Sequence, residues 1–206
     1  MKKLVFIFVV LLAFSAGVCA KDQVKPVVYA GGGICLPLGP TAFKDFWKAG
    51  GSFGGGIGIQ INPKIEIIGR AYYSQHSIDD GKLPTGVTIE GGKIKLVAFG
   101  VDGKYSFSKN EEGIGFIPYI ITGIGMTNIK IEKATVTAGS YVIPFSEESE
   151  TKLGVNVGAG LDYMFTPKAG LWLEGRLAMV STSGDSFVWL PIRAGVKLMF
   201  GGSGEK

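Results

Sequence analysis

The chain has 206 residues, a formal net charge of +4, 46% hydrophobic residues and only 18% charged ones. So small a charge, carried by basic residues scattered along the chain, excludes a nucleic-acid-binding face. Of the two cysteines, Cys19 falls in a leader that is expected to be removed, so Cys35 alone cannot make an internal disulfide.

Residues 1–20 have the composition of a secretory signal. Lys2 and Lys3 supply the positive start, Leu4 to Phe14 the apolar run, and Val18-Cys19-Ala20 the small-residue exit, so cleavage is expected after Ala20. The apolar run is shorter than the roughly 20 residues a transmembrane helix needs. Acylation of Cys19 is the rival reading, and the bulk of Val18 speaks against it. Removing Lys2 and Lys3 leaves a mature charge of +2.

From residue 26 onward the chain alternates apolar with small or polar positions, the period of a two-faced β-strand. A first strand is expected over Pro26–Leu36, with Val28, Ala30, Ile34 and Leu36 on one face. The second, Ser52–Ile61, sets Phe53, Ile57, Ile59 and Ile61 against Gly54, Gly56, Gly58 and Gln60. Asn62-Pro63-Lys64 turns the chain. The third, Ile65–Gln75, sets Ile65, Ile67, Ala71 and Tyr73 against Glu66, Arg70 and Tyr72. A short helix near Phe43–Lys48 would sit inside a loop.

The fourth strand, Lys93–Phe107, breaks its own alternation. Phe99, Val101, Tyr105 and Phe107 share one parity, whereas Ile94 and Leu96 hold the other. Either a bulge near Val97 resets the phase or the strand starts later. The fifth, Gly115–Lys130, is apolar on both parities, which leaves its facing open. The sixth, Lys152–Phe165, alternates most regularly: Leu153, Val155, Val157, Ala159, Leu161, Tyr163 and Phe165 oppose Lys152, Gly154, Asn156, Gly158, Gly160 and Asp162. Leu161 is therefore expected to face lipid and Asn156 the lumen, where a change to Ser should be tolerated. After Thr166-Pro167-Lys168, the seventh strand sets Leu171, Leu173, Leu177 and Met179 against Trp172, Glu174 and Arg176. The eighth, Val188–Phe200, sets Leu190, Ile192, Ala194, Val196 and Leu198 against Arg193, Gly195 and Lys197.

Connections near Pro63, Asn110 and Pro167 are short. Those over 75–92 and 131–149 are long. Short turns at one end and long loops at the other characterise outer-membrane barrels. A soluble lipocalin-type barrel would turn its apolar faces inward and charge outward, whereas here glycine and a few charges oppose the apolar faces. The expected fold is all-β: an eight-stranded antiparallel up-and-down transmembrane barrel over residues 21–200, followed by a short tail over 201–206. Interface aromatics are expected at Tyr29, Phe107 and Phe165 near one rim and at Phe46, Trp47, Tyr73 and Trp189 near the other.

Several segments resemble the small outer-membrane β-barrel family, the OmpA-like or "porin family" eight-stranded domain. They include Tyr29-Ala30-Gly31-Gly32-Gly33, Pro37-Leu38-Gly39, Phe43-Lys44-Asp45-Phe46-Trp47, the glycine run 50–58, Gly158-Ala159-Gly160-Leu161-Asp162-Tyr163, Glu174-Gly175-Arg176 and Pro191-Ile192-Arg193-Ala194-Gly195-Val196-Lys197. The resemblance implies a bacterial outer-membrane location, with outer-membrane lipid and the barrel-assembly machinery as partners. Two departures stand out: residues 201–206 follow Phe200, where the family ends on an aromatic, and no peptidoglycan-binding domain follows the barrel.

On the lumen parity lie Glu66, Arg70, Asp102, Lys104, Lys152, Asp162, Glu174, Arg176, Arg193 and Lys197. An eight-stranded barrel is barely wide enough for its own side chains, so these charges are expected to pair into a polar network that plugs it. Exchange of partners within the same network would instead make a narrow ion path. The leading expectation is a non-enzymatic barrel with a structural or surface-interaction role and no cofactor; its surface ligand is not legible in the residues. A small porin or channel is the alternative, and a lipid-modifying or proteolytic barrel centred on His76 the third reading. Ser74, Ser77, Asp79 and Asp80 surround His76, but neighbouring strand residues point to opposite faces, so a solvated loop histidine is expected there. One His and one Cys far apart make no metal site. The glycine runs lack the Lys-Ser/Thr of a phosphate loop; glycine on lumen positions is expected to make room for large neighbours.

Overall fold

The computed structural model describes residues 24–107, 114–181 and 186–200. The expected leader over 1–20 and the tail over 201–206 lie outside them. Eight long strands close into an antiparallel barrel in which each strand pairs with the next barrel strand in the sequence and the last returns to the first. They are β1 (Lys25–Gly39), β2 (Gly50–Asn62), β3 (Ile65–His76), β5 (Ile94–Ser106), β6 (Gly115–Ile131), β9 (Glu148–Thr166), β10 (Ala169–Ser181) and β11 (Ser186–Met199). Closure leaves no open sheet edge, which a strand surrounded by lipid requires.

Side-chain alternation sets the facing. Phe53, Ile57, Val101, Ile124, Val155, Leu173 and Val196 are all exposed on the outer wall. Their neighbours along each strand point in. Of the three short connections named from sequence, the one near Asn110 lies outside the described residues and the other two form as side-chain-capped turns. Asn62 Oδ1 accepts from the amides of Lys64 (2.8 Å) and Ile65 (3.0 Å), and Thr166 Oγ1 accepts from those of Lys168 (3.2 Å) and Ala169 (2.9 Å).

At the short-turn rim, Tyr105, Phe107, Phe116, Tyr163 and Phe165 stand exposed in a girdle. Tyr105 meets Phe107 edge-on at 5.6 Å, and Phe116 lies 4.6 Å from Tyr163. Two aromatics expected in such belts are instead inside: Tyr29 and Trp189 are both buried in the barrel. Their parity placed them on the lumen side, and parity outweighs rim position.

The fourth predicted strand contains no bulge. β5 pairs in unbroken register with β3 from Ile94 to Tyr105 and with β6 from Ile94 to Ser106. Ile94 and Leu96 therefore do point inward, because the lumen turns apolar toward the long-loop end. There they pack with Cys35, Ile129, Val180 and Trp189 around Phe43. On β6 the facing resolves to Tyr119, Ile121, Thr127 and Ile129 inward, with Ile120, Ile124 and Met126 outward.

Phe43 comes from α1 (Thr41–Phe46), the short helix foreseen between the first two strands. It is 1% exposed and packs on Phe187 at 4.9 Å, His76 at 5.1 Å and Trp47 at 6.2 Å. The helix lays this one ring across the barrel mouth.

The long loops are not irregular. β4 (Val87–Gly91), β7 (Ala134–Ala138) and β8 (Tyr141–Phe145) form a separate three-stranded antiparallel sheet in the order β4-β7-β8. Ala138 pairs with Tyr141 across a two-residue turn whose first residue, Gly139, has φ +58°, a conformation glycine adopts without strain. Sequence reading placed loops here because each strand has only five residues. β6 and β9, with 17 and 19 residues, are far longer than the roughly 9–11 residues that span a bilayer, so they run out of the membrane toward this sheet.

Candidate functional site: the lumen polar network

Glu66, Arg70, Asp102, Asp162, Glu174, Arg176, Arg193 and Lys197 all point into the lumen, joined by Lys104, and they divide into two layers. The layer nearer the short turns contains Glu66, Lys104, Asp162 and Lys197. Lys197 Nζ lies 2.6 Å from Glu66 Oε1 and 2.8 Å from Asp162 Oδ2. Lys104 Nζ lies 2.5 Å from the same Asp162 oxygen and donates to the Tyr29 hydroxyl at 2.9 Å, while that hydroxyl donates to Glu66. Lys104 also sits over the Tyr119 ring, 3.8 Å from its centroid. Two lysines thus meet two carboxylates, and charge balances locally.

The second layer contains Arg70, Asp102, Glu174, Arg176 and Arg193. Arg176 is its hub: Nη1 binds Asp102, Nε binds Glu174, and Nη2 donates to Glu174 Oε2 at 3.1 Å. Arg70 Nε lies 2.8 Å from Asp102 Oδ1 without its N–H aimed at that oxygen, so the contact is ionic. Asn156 ties the layer together, accepting from Arg176 Nη1 at 3.1 Å and donating to Asp102 Oδ1 at 3.3 Å. Tyr119 donates to Glu174 Oε2 at 3.2 Å, and Arg193 stacks 3.5 Å from the Tyr72 ring centroid.

These groups are almost wholly removed from water, with Asp102 and Asp162 at 0% exposure. Each ion would lose several kcal/mol on such burial, so the network is stable only because nearly every charge has a partner at contact distance. Glycine makes the room. A Cβ on Gly123 would stand 1.8 Å from Asp102 Oδ1, and one on Gly160 would stand 2.4 Å from Tyr119 Cζ.

Sequence reading missed Asn156 and the tyrosines as members of the network. The parity of Asn156, Tyr29 and Tyr72 was visible and that of Tyr119 was not, and nothing in the sequence marks a neutral side chain as bridging two charges. Asn156 faces the lumen as expected, and the two hydrogen bonds it makes there argue against its tolerating Ser. Lys152, assigned to the lumen set, stands opposite inward-facing Thr127 on the lumen parity, but its side chain is 29% exposed and pairs with Glu150 at 2.6 Å. His76 is not a solvated loop residue: it is 0% exposed under Phe43, with Nδ1 3.1 Å from the Lys48 carbonyl oxygen. Nε2 has no hydrogen-bond partner among the described residues. Ser74 donates instead to Ser52, at 2.9 Å, and Asp79 faces Lys48 at 3.6 Å, so the hydrolase grouping does not assemble. Among the described residues, no three His, Cys, Asp or Glu side chains converge as metal ligands.

A family model described as the outer membrane protein beta-barrel domain matches residues 6–190. No curated protein sequence matches. Among solved structures, the barrel resembles Neisserial surface protein A, at 18% identity and TM-score 0.54 over 86% of this chain and 97% of that one. It also resembles the N-terminal barrel domain of Pseudomonas aeruginosa OprF (18%, TM-score 0.52, 87% and 98%) and a major outer membrane protein of Thermus thermophilus (16%, 0.52, 86% and 100%). At such identities the likeness concerns the fold.

Proposed function

This chain belongs to the outer membrane protein beta-barrel domain family and so to the bacterial outer membrane, and from that premise we propose that it is a non-enzymatic barrel with a structural and surface-interaction role. The observation that carries this reading is the filled lumen: two layers of charge in which every described group but Arg193 has an ion pair, then an apolar layer under Phe43. A channel would have to break both. The β4-β7-β8 sheet, at the long-loop end that such barrels turn outward, supports the surface role. All five residues of its edge strand β8 are exposed, with Tyr141 at 77%.

In this reading the leader directs export and is cleaved after Ala20, and the assembly machinery inserts the barrel with Ile57, Val101, Val155 and Leu173 against lipid. Protease added to intact cells tests the arrangement. Cleavage confined to the β7–β8 hairpin, leaving a membrane-bound barrel, is the expected result. Protection of the hairpin in intact cells, with cleavage only after permeabilisation, would overturn it.

A further inference from the structure

Charge inside the barrel does not balance. The layer nearer the short turns sets Lys104 and Lys197 against Glu66 and Asp162. The next layer sets Arg70, Arg176 and Arg193 against only Asp102 and Glu174. Arg70 and Arg176 share Asp102, and Arg176 holds Glu174 as well. Arg193 is left over. It is 3% exposed, forms no ion pair among the described residues, and its Nε has no hydrogen-bond partner there. The Tyr72 face stabilises it in part, but a ring quadrupole does not neutralise a charge.

Beside this guanidinium lies a cavity of about 30 Å³, between the network and the apolar layer under Phe43. Arg70, Arg176 and Arg193 line it together with Ser74, Thr127 and Asn156. Three guanidinium groups and the Thr127 hydroxyl around one small space form a donor-rich shell, Ser74 having already given its hydrogen to Ser52. That shell contains the one buried lumen cation without an ion pair among the described residues. We propose that the cavity is a binding site for a single halide-sized anion, chloride under physiological conditions, which serves as the missing counter-ion of Arg193.

Size and charge both discriminate. A water needs roughly 10–15 Å³ of such space, so the cavity has room for two or three waters or one halide, and is small for phosphate or sulfate. Water would satisfy the donors yet leave the buried charge uncompensated, whereas a halide does both. A cation is excluded by the surrounding arginines. Ion pairs bound the anion on one side and the apolar layer under Phe43 on the other.

The test is to fold the mature protein in sodium bromide, crystallise it, and measure anomalous scattering. A bromide peak in the cavity against Arg193 is expected, absent from Arg193→Gln folded the same way. In parallel, the urea midpoint in lipid vesicles is measured after folding in chloride, phosphate or gluconate at equal ionic strength. Wild type should be more stable in chloride alone, with phosphate matching gluconate, and Arg193→Gln should lose the difference. Should Arg193→Gln fail to fold, the wild-type peak and the wild-type salt series still decide. An empty or water-filled cavity, or equal midpoints in all three salts, would overturn the proposal.

Discussion

Arg176 and Glu174 stand two residues apart on β10, both facing the lumen, with Arg176 Nη2 donating to Glu174 Oε2 at 3.1 Å. The period of two along a strand brings them to one face, and the same guanidinium reaches across the barrel to Asp102 on β5. One side chain thus ties opposite walls together.

Arg176→Met should therefore be the costliest single change in the network. It keeps much of the side-chain volume but leaves Glu174 and Asp102 short of a buried partner, so a loss of about 3–5 kcal/mol is expected. Urea titration of the folded barrel in lipid vesicles measures it. A loss no larger than that of an exposed control such as Lys168→Met would contradict the assignment of Arg176 as hub.

Asn156→Ser should not be neutral. Serine cannot both accept from Arg176 and reach Asp102 as the amide does, so about 1–3 kcal/mol should be lost in the same titration. Asn156→Gln, which keeps both groups, will not restore it if position as well as chemistry matters.

Lipid facing gives an independent comparison. Val157 points outward near the middle of the apolar wall and pairs with Thr122 and Leu177. Val157→Arg is expected to cost about 2–4 kcal/mol in vesicles. Leu161, four residues nearer the Thr166 turn, should cost less when changed to Arg, since the penalty falls toward the interface. The reverse order would place the membrane elsewhere on the barrel.

Room for the network depends on glycine. Gly123→Ala drives a methyl into the Asp102 carboxylate and should cost about 1–3 kcal/mol. Gly103→Ala, where a Cβ meets nothing within 4 Å, should be nearly silent. Equal effects in the unfolding midpoint would show that the network shifts freely to make space.

Phe43 seals the mouth, so Phe43→Ala should lose about 3–5 kcal/mol and open the apolar layer beneath. Cys35, at 0% exposure in the same cluster, reports on it. A membrane-impermeant maleimide should leave Cys35 unlabelled in the folded wild type and label it in Phe43→Ala. Rapid labelling of wild type would mean that the mouth is open.

Strand number, order and facing were legible because lipid and lumen impose opposite chemistry on alternate residues, as β9 shows from Leu153 to Phe165. Where that contrast fades, the sequence was ambiguous. β5 misled because Ile94 and Leu96 face an apolar cap built by Phe43, a residue some fifty positions away in the chain. β8 was missed because Tyr141-Val142-Ile143-Pro144-Phe145 buries neither face and so carries no alternation. Charges of the network were found by parity alone. Their division into a balanced and an unbalanced layer depends on contacts such as that of Lys197 with Glu66, 131 residues apart, which no local pattern encodes.

Single-channel recording of the purified barrel in a planar bilayer tests the central claim, a lumen closed by paired charge and the Phe43 cap, most directly. The wild type is predicted to show no stable ohmic conductance. Steady ohmic openings that vanish when Glu174 or Arg176 is altered would contradict it and make the same residues the lining of a channel.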